Sequence, residues 1–187
     1  MENRKSQIIE IALRNIREKG YLSFSYDDLA KEIGVTKASI HYHFEKKEDL
    51  GLAICARIKK GLDHSYIEIA NTKINIEDKI WEFISSRAEQ ISPNEICPIS
   101  SMQTDYNFLP VTMQASVQQL SHLEIEYVIK LLEESSLQVT QDTKGLAALL
   151  ISSVKGALQY NRILGENLYI TVIAQLKLLI NGNIKKR

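Results

Sequence analysis

An all-α fold follows from three features of this 187-residue chain. Apolar residues recur at three- and four-residue spacing along nearly its whole length, no stretch alternates apolar and polar between turn signals, and Pro and Gly are sparse at 3 and 8. With 44% apolar and 25% charged residues the composition is that of an ordinary globular chain, long enough for one sizeable core or two small apposed ones.

The elements follow in order. Residues 6–19 carry Ile8, Ile9, Ala12, Leu13 and Ile16 on one face with Arg14 and Arg17 off it, and Gly20 stops that helix. Ser25-Tyr26-Asp27-Asp28 matches a capping box, so a second, short helix starts there, turns Leu29, Ala30 and Ile33 inward and ends at Gly34. Thr36 caps a third helix that ends near Phe44. A fourth starts near residue 46 and runs toward residue 70. Further helices are predicted over 76–91, 111–134, 143–164 and 167–180, with a broken stretch around Pro93, Pro98 and Pro110. Lys185-Lys186-Arg187 reads as a solvated tail.

Several functions are excluded at this level. Cys55 and Cys97 are far apart and form no C-x-x-C pattern, so neither a disulfide framework nor a zinc site is signalled. No N-terminal run has the order of a signal peptide, and the most apolar stretches are interrupted by Lys155 and by Gln175 with Lys177. A cytoplasmic location is the expectation. No Gly-rich phosphate loop, helical H-E-x-x-H or nucleophile triad is present, so neither an enzyme nor a cofactor is predicted. Residues 1–60 hold 12 Lys plus Arg against 9 Asp plus Glu, a net of +3, and the remainder holds 11 against 14, a net of −3. A basic head on an acidic body suits a polyanionic partner for the head.

The informative constellation is Leu29, Ala30, Ile33, Gly34, Val35 and Ile40. A helix-turn-helix needs a small residue where its helices touch, a Gly able to take positive φ in the turn, and apolar residues that lock the crossing. These positions supply all three, the alternative being an ordinary helical hairpin capped by Gly. At about 100° per residue, Ile40 and Phe44 share the buried face of the third helix, while Ala38, Ser39 and Tyr42 point away. His41 and His43 fall about 200° apart, so they cannot chelate one ion, and no metal is predicted. What remains is a surface of hydroxyls, imidazoles and a cation, suited to phosphates and base edges of double-stranded DNA.

The runs IIEIALRNIREKGY, DDLAKEIGVTKASIHYHF and KKEDLGLAI, between Ile8 and Ile54, resemble the TetR/AcrR family of bacterial transcriptional regulators. Family members usually carry tyrosine where His41 stands, with tyrosine and histidine exchanged at the next two positions. The resemblance implies a helix-turn-helix domain over residues 1–46 and a helical ligand-binding and dimerisation domain over 47–187. It further implies that Thr36, Lys37, Ala38, Ser39, His41, Tyr42 and His43 face DNA. Tyr42, His43 and Lys47 would contact phosphates, and the amide end of the second helix near Ser25 and Tyr26 would receive another.

It also implies a homodimer held by the last two helices and an effector pocket among the middle ones. The residues support the first point independently. Leu146, Leu149, Leu150, Ser153, Val154, Ala157 and Leu158, with Val172, Ile173, Leu176, Leu179 and Ile180, carry more apolar surface than two peripheral helices bury alone. For a small-molecule effector the candidates are Trp81, Ile84, Cys97, Met102, Tyr106, Phe108, Met113, Tyr127 and Tyr160, which surround the proline-broken region. The function read from the sequence is a homodimeric repressor released from a palindromic operator by a small apolar or aromatic ligand. The alternatives are a helical protein-interaction module without sequence-specific DNA binding, and a regulator that senses oxidants or electrophiles through Cys97.

Overall fold

Caps and stops written into the sequence set the helix ends. The structure, a computed structural model, describes residues 4–135 and 142–184, and the basic tail at Lys185-Lys186-Arg187 lies outside the described residues. Helix α1 is Arg4–Lys19, and Gly20 at φ 92° turns the chain into a 3-10 turn at Tyr21–Ser23. Helices α2 (Tyr26–Ile33), α3 (Lys37–His43) and α4 (Lys47–Asn71) follow. Then come α5 (Ile76–Ala88), α6 (Pro98–Thr104), a second 3-10 turn at Tyr106–Phe108, α7 (Val111–Glu134), α8 (Thr143–Leu164) and α9 (Leu168–Ile184). Among the described residues there is no strand.

The predicted helices are all present, and the differences have local causes. Pro98 opens α6 instead of breaking the chain, because the first helical position has no hydrogen-bond partner for an N–H and proline lacks one. Helix α4 reaches Asn71 because side chains close its end. Asn71 Nδ2 donates to Ile67 O at 2.8 Å, Thr72 Oγ1 to Glu68 O at 2.9 Å and Lys79 Nζ to Ala70 O at 2.5 Å. Helix α5 ends at Ala88, three residues short of the predicted end, in a turn that leads to Pro93.

Packing divides the chain into two units. The first comprises Met1–Gly61 and Ile96–Ser121, the second Leu62–Glu95 and His122–Arg187. The division at residue 46 follows the motif; the first unit's core takes in residues well beyond it. That core joins Ile8, Ala12 and Ile16 of α1 to Leu29 of α2, Ile40 of α3, Leu50 and Ile54 of α4, Ile99 and Met102 of α6 and Met113 of α7. Each fully buried Ile, Leu or Met among them contributes about 1.5–3 kcal/mol. Gly51 is where Met113 packs on α4, since a Cβ there would stand 2.4 Å from the Met113 sulfur.

Polar bonds fix the angles within this unit. Asn15, buried on α1, donates to Ile11 O at 3.1 Å and to Glu32 Oε2 on α2 at 2.8 Å, and Arg14 pairs with the same carboxylate. At the other end of α1, Ile96 N–H donates to Arg17 O and Ser101 Oγ to Ile16 O, both at 2.9 Å. The Asp105 carboxylate accepts from Leu22 N–H at 3.3 Å.

The second unit's core gathers Leu62, Ile80, Phe83, Val128, Leu131, Ala147, Leu150 and Leu176. Tyr66 and Tyr127 stack in parallel with centroids 4.2 Å apart, Phe83 stands edge-on to both, and Tyr127 Oη donates to Asp63 at 2.7 Å. Lys155 on α8 pairs with the buried Glu124 on α7.

Candidate nucleic-acid interface

The α2–turn–α3 segment is built by its caps. Ser25 and Asp28 form the complete capping box: Asp28 Oδ2 accepts from Ser25 N–H at 2.8 Å and from its hydroxyl at 2.6 Å, while Asp28 N–H donates to Ser25 Oγ at 3.3 Å. Gly34 ends α2 at φ 76°, in the left-handed region where a side chain is strained, although the space around it is open. Thr36 then caps α3 by accepting from Ser39 N–H at 3.2 Å. Ile40 and Phe44 are buried, which fixes the rotation of α3 and turns Thr36, Lys37, Ala38, His41 and Tyr42 outward, with Ser39 and His43 half-buried. Tyr42 is 85% exposed, a value no core role would give an aromatic side chain.

The two imidazoles diverge. His41 stands edge-on to Tyr26 at 4.8 Å between centroids, and His43 stands against Tyr42 at 5.1 Å. His41 Nδ1 lies 3.0 Å from the backbone oxygen of Glu45. A carbonyl only accepts, so Nδ1 carries the proton and, in the neutral ring, Nε2 is left as an acceptor facing outward. Tyr26 itself is buried, its hydroxyl donating to Phe44 O at 3.1 Å, and burial pushes its phenol up to about 12. Its side chain braces α3 from below.

Two cations of this surface already have partners. Lys37 Nζ lies 2.7 Å from Asp27 Oδ2, with both side chains about half exposed. Lys47, the first residue of α4, turns inward. Its ammonium donates to Tyr21 O at 2.6 Å and Phe24 O at 2.5 Å, and sits 4.6 and 4.4 Å from the centres of those two rings. Tyr21 returns a bond from its hydroxyl to Lys47 O at 2.9 Å. Desolvation lowers the Lys47 ammonium from its ordinary value, against the pull of Asp105 and Asp28. Sequence reasoning missed this latch because its partners are backbone carbonyls, which no side-chain pattern announces. It also missed Asp27, although a capping box uses only one acid and the Asp27-Asp28 pair leaves one to spare.

The nine effector candidates are divided between the two units. Met102 and Met113 are buried in the first unit's core, with Cys97 and Tyr106 packed against it and Phe108 exposed. Trp81 and Ile84 are buried in the second unit's core, Tyr127 is taken up in the Tyr66 stack, and Tyr160 is exposed. A cavity of about 360 Å³ in the second unit is lined by other residues, among them Ile91, Leu158, Tyr169 and Ile170 with Glu89 and Glu166. Cys55 contacts Met102 at 3.9 Å between sulfurs, and burial pushes its thiol up to about 11.

The interface candidates divide by face. Leu150, Val154, Ala157, Ile173, Leu176 and Ile180 are buried within the unit, Leu146, Ser153, Leu158 and Val172 are half-buried, and Leu149 and Leu179 are exposed. The outward stripes of α8 and α9 also include Tyr160, Ile163, Leu164, Ile170 and Leu178, the most exposed being Ile163 at 77% and Leu178 at 64%. No helix among the described residues is long and apolar enough to cross a membrane, and none of their His, Cys, Asp and Glu side chains form a group of three suited to a metal.

The match to known proteins falls on this geometry. Residues 8–54 match the family model described as bacterial regulatory proteins, tetR family. The biofilm operon icaADBC HTH-type negative transcriptional regulator IcaR of Staphylococcus aureus is 25% identical over 153 residues, 80% of this chain and 81% of that one. A TetR transcriptional regulator from Legionella pneumophila superposes with a TM-score of 0.88 at 29% identity over 98% of each chain. A TetR-family regulator from Agrobacterium tumefaciens shares the fold at a TM-score of 0.85 and 22% identity, over 95% of this chain and 96% of that one. The matched segment with its capped helix-turn-helix, and the fold shared along the whole chain, support a TetR-family transcriptional regulator, a DNA-binding factor rather than an enzyme.

Proposed function

We propose that this regulator is a cytoplasmic homodimeric repressor that binds a near-palindromic operator through α3 and is released by a small apolar or aromatic molecule. The observation that carries the reading is Tyr42, 85% exposed on a helix whose rotation is locked by buried Ile40 and Phe44 and capped by Thr36. Lys37, Thr36, Ala38 and Ser39 would enter the major groove at the N-terminal end of α3, with His41 offering Nε2 to a base amino group. Tyr42 and His43 would take phosphates, as would the N-terminal end of α2 near Ser25 and Tyr26. Lys47 keeps one N–H for a phosphate while its other two hold the loop.

Two copies would pair through the outward stripes of α8 and α9, placing half-sites about one helical turn or slightly more apart. Effector binding among the middle helices would act on the head through α6, which with its flanking residues hydrogen-bonds to Ile16, Arg17 and Leu22. A hundredfold loss of operator affinity requires the effector to prefer the released state by about 2.7 kcal/mol.

The test is selection of bound duplexes from a random-sequence library, followed by titration of the enriched duplex and a shuffled control. Enrichment of a near-palindrome, with affinity falling steeply as salt rises, is the expected result. Tyr42→Ala should weaken binding about five- to tenfold without changing helicity, as the loss of one phosphate hydrogen bond does. Equal affinity for the enriched and shuffled duplexes sinks the reading in favour of a protein-interaction module.

A further inference from the structure

We propose that Asp27 is a selectivity residue of the reading surface. Its carboxylate holds the Lys37 ammonium in the free protein, and the pair opens only where DNA offers Lys37 a better acceptor, the O6/N7 edge of a guanine. This rests on the reading of α3 as the recognition helix.

Three observations lead there. First, Lys37 is the opening residue of α3, the end of a recognition helix that meets base edges, and its Nζ stands 2.7 Å from Asp27 Oδ2. Second, Asp27 has no part in capping α2. Asp28 alone supplies the carboxylate of the capping box, taking both the amide and the hydroxyl of Ser25. Third, both members of the pair are about half exposed, so the contact is neither buried nor needed to fill the core. The first turn of α2 favours a carboxylate through the helix dipole, but Asp28 already supplies one there. A second acid on a surface meant for a polyanion lowers affinity for every DNA sequence, which calls for a reason tied to sequence.

Magnitudes supply that reason. An exposed ion pair of this kind is worth about a factor of two to five. A phosphate offers Lys37 the same charge at every site and meets repulsion from Asp27, so it gains little over the carboxylate. A guanine edge gives about ten- to hundredfold discrimination against the wrong base and carries no formal charge for Asp27 to repel. The carboxylate thus suppresses the contact available everywhere and leaves nearly intact the contact available at the operator.

The test uses the full chain, the duplex enriched from a random library by the wild-type protein and its shuffled control. Failure of any duplex to enrich overturns the DNA reading itself, before Asp27 is touched. Given an enriched duplex, Asp27→Asn should bind shuffled DNA about three- to fivefold more tightly and the enriched duplex only about twofold more tightly, the cost of opening the pair there, so that the specificity ratio falls. The salt slope on shuffled DNA should steepen by about one unit, the share of one added contact. Asp27→Glu, which keeps the charge, should restore the wild-type ratio. In a Lys37→Met background Asp27→Asn should leave the ratio unchanged, and replacing the guanine under Lys37 should abolish the preference that Lys37 confers. An unchanged ratio in Asp27→Asn, weaker binding to the enriched duplex, or an equal effect without Lys37 overturns the proposal. Melting by circular dichroism checks that each variant is folded.

Discussion

At the scale of single residues, the head is organised by side chains that bond to backbone. Lys47 is the main example. Its ammonium satisfies the carbonyls of Tyr21 and Phe24 and lies against both rings, and Tyr21 answers with a bond to Lys47 O. Lys47→Met keeps the stem and removes the donors, leaving two part-buried carbonyls unpaired. The expected loss is about 1–3 kcal/mol of stability, read as a lower urea midpoint. Tyr21→Phe should lose about 1 kcal/mol. The double variant should lose less than the sum, because the two groups belong to one latch; strict additivity would mean that they act separately. The Lys-Glu-x-Leu start of α4 was legible in the sequence, but not the inward turn of its first ammonium.

At the scale of elements, the capped start of α2 links stability to pH. Hydrogen bonds from the Ser25 hydroxyl and amide hold Asp28 below its ordinary value of 3.8. The Asn15 amide, with help from Arg14, holds Glu32 below its ordinary value of 4.5. In acid the folded state therefore binds fewer protons than the unfolded one. The stabilisation is full above those ordinary values and is lost as pH falls through the lowered ones. The urea midpoint of the helical signal should drop between pH 5 and about pH 3. Asp28→Asn with Glu32→Gln should start lower at pH 7 and lose less on acidification; an equal loss would place the acid-sensitive groups elsewhere. The capping box itself was readable from Ser25 and Asp28, three residues apart in a known pattern. The Asn15–Glu32 bond was not, because it joins residues on different helices and breaks an otherwise apolar stripe.

At the scale of the whole molecule, the outward stripes of α8 and α9 decide the proposed assembly. Ile163 and Leu178 stand in water in a single copy, together with Leu164, Ile170 and Leu179. An apolar face of this kind marks an interface. Leu178→Glu should therefore yield monomers by sedimentation and weaken operator binding far more than binding of one half-site to one head. A Leu178→Glu protein that sediments as a dimer would move the interface off α9. Ala157→Glu, by contrast, places a charge inside the second unit and should unfold it whether or not a dimer forms, because an unpaired buried charge costs several kcal/mol.

By itself the sequence determined the all-α class, the ends of α2 and the start of α3, and the helix-turn-helix, because these rest on local chemistry: three- and four-residue spacing, Ser25, Gly34 and Thr36 at their caps, and Ile40 and Phe44 on one face. Only the tertiary structure decided which partner each exposed-looking side chain takes. It paired Lys37 with Asp27, turned Lys47 inward, placed seven of the nine effector candidates in or against one of two cores and left Phe108 and Tyr160 exposed, and divided the apolar residues of α8 and α9 into an inner and an outer face. The physical reason is the same in each case. A helix that is apolar nearly all round, or a cation with several acceptors in reach, has its choice made by neighbours distant in the chain, and periodicity carries no record of them.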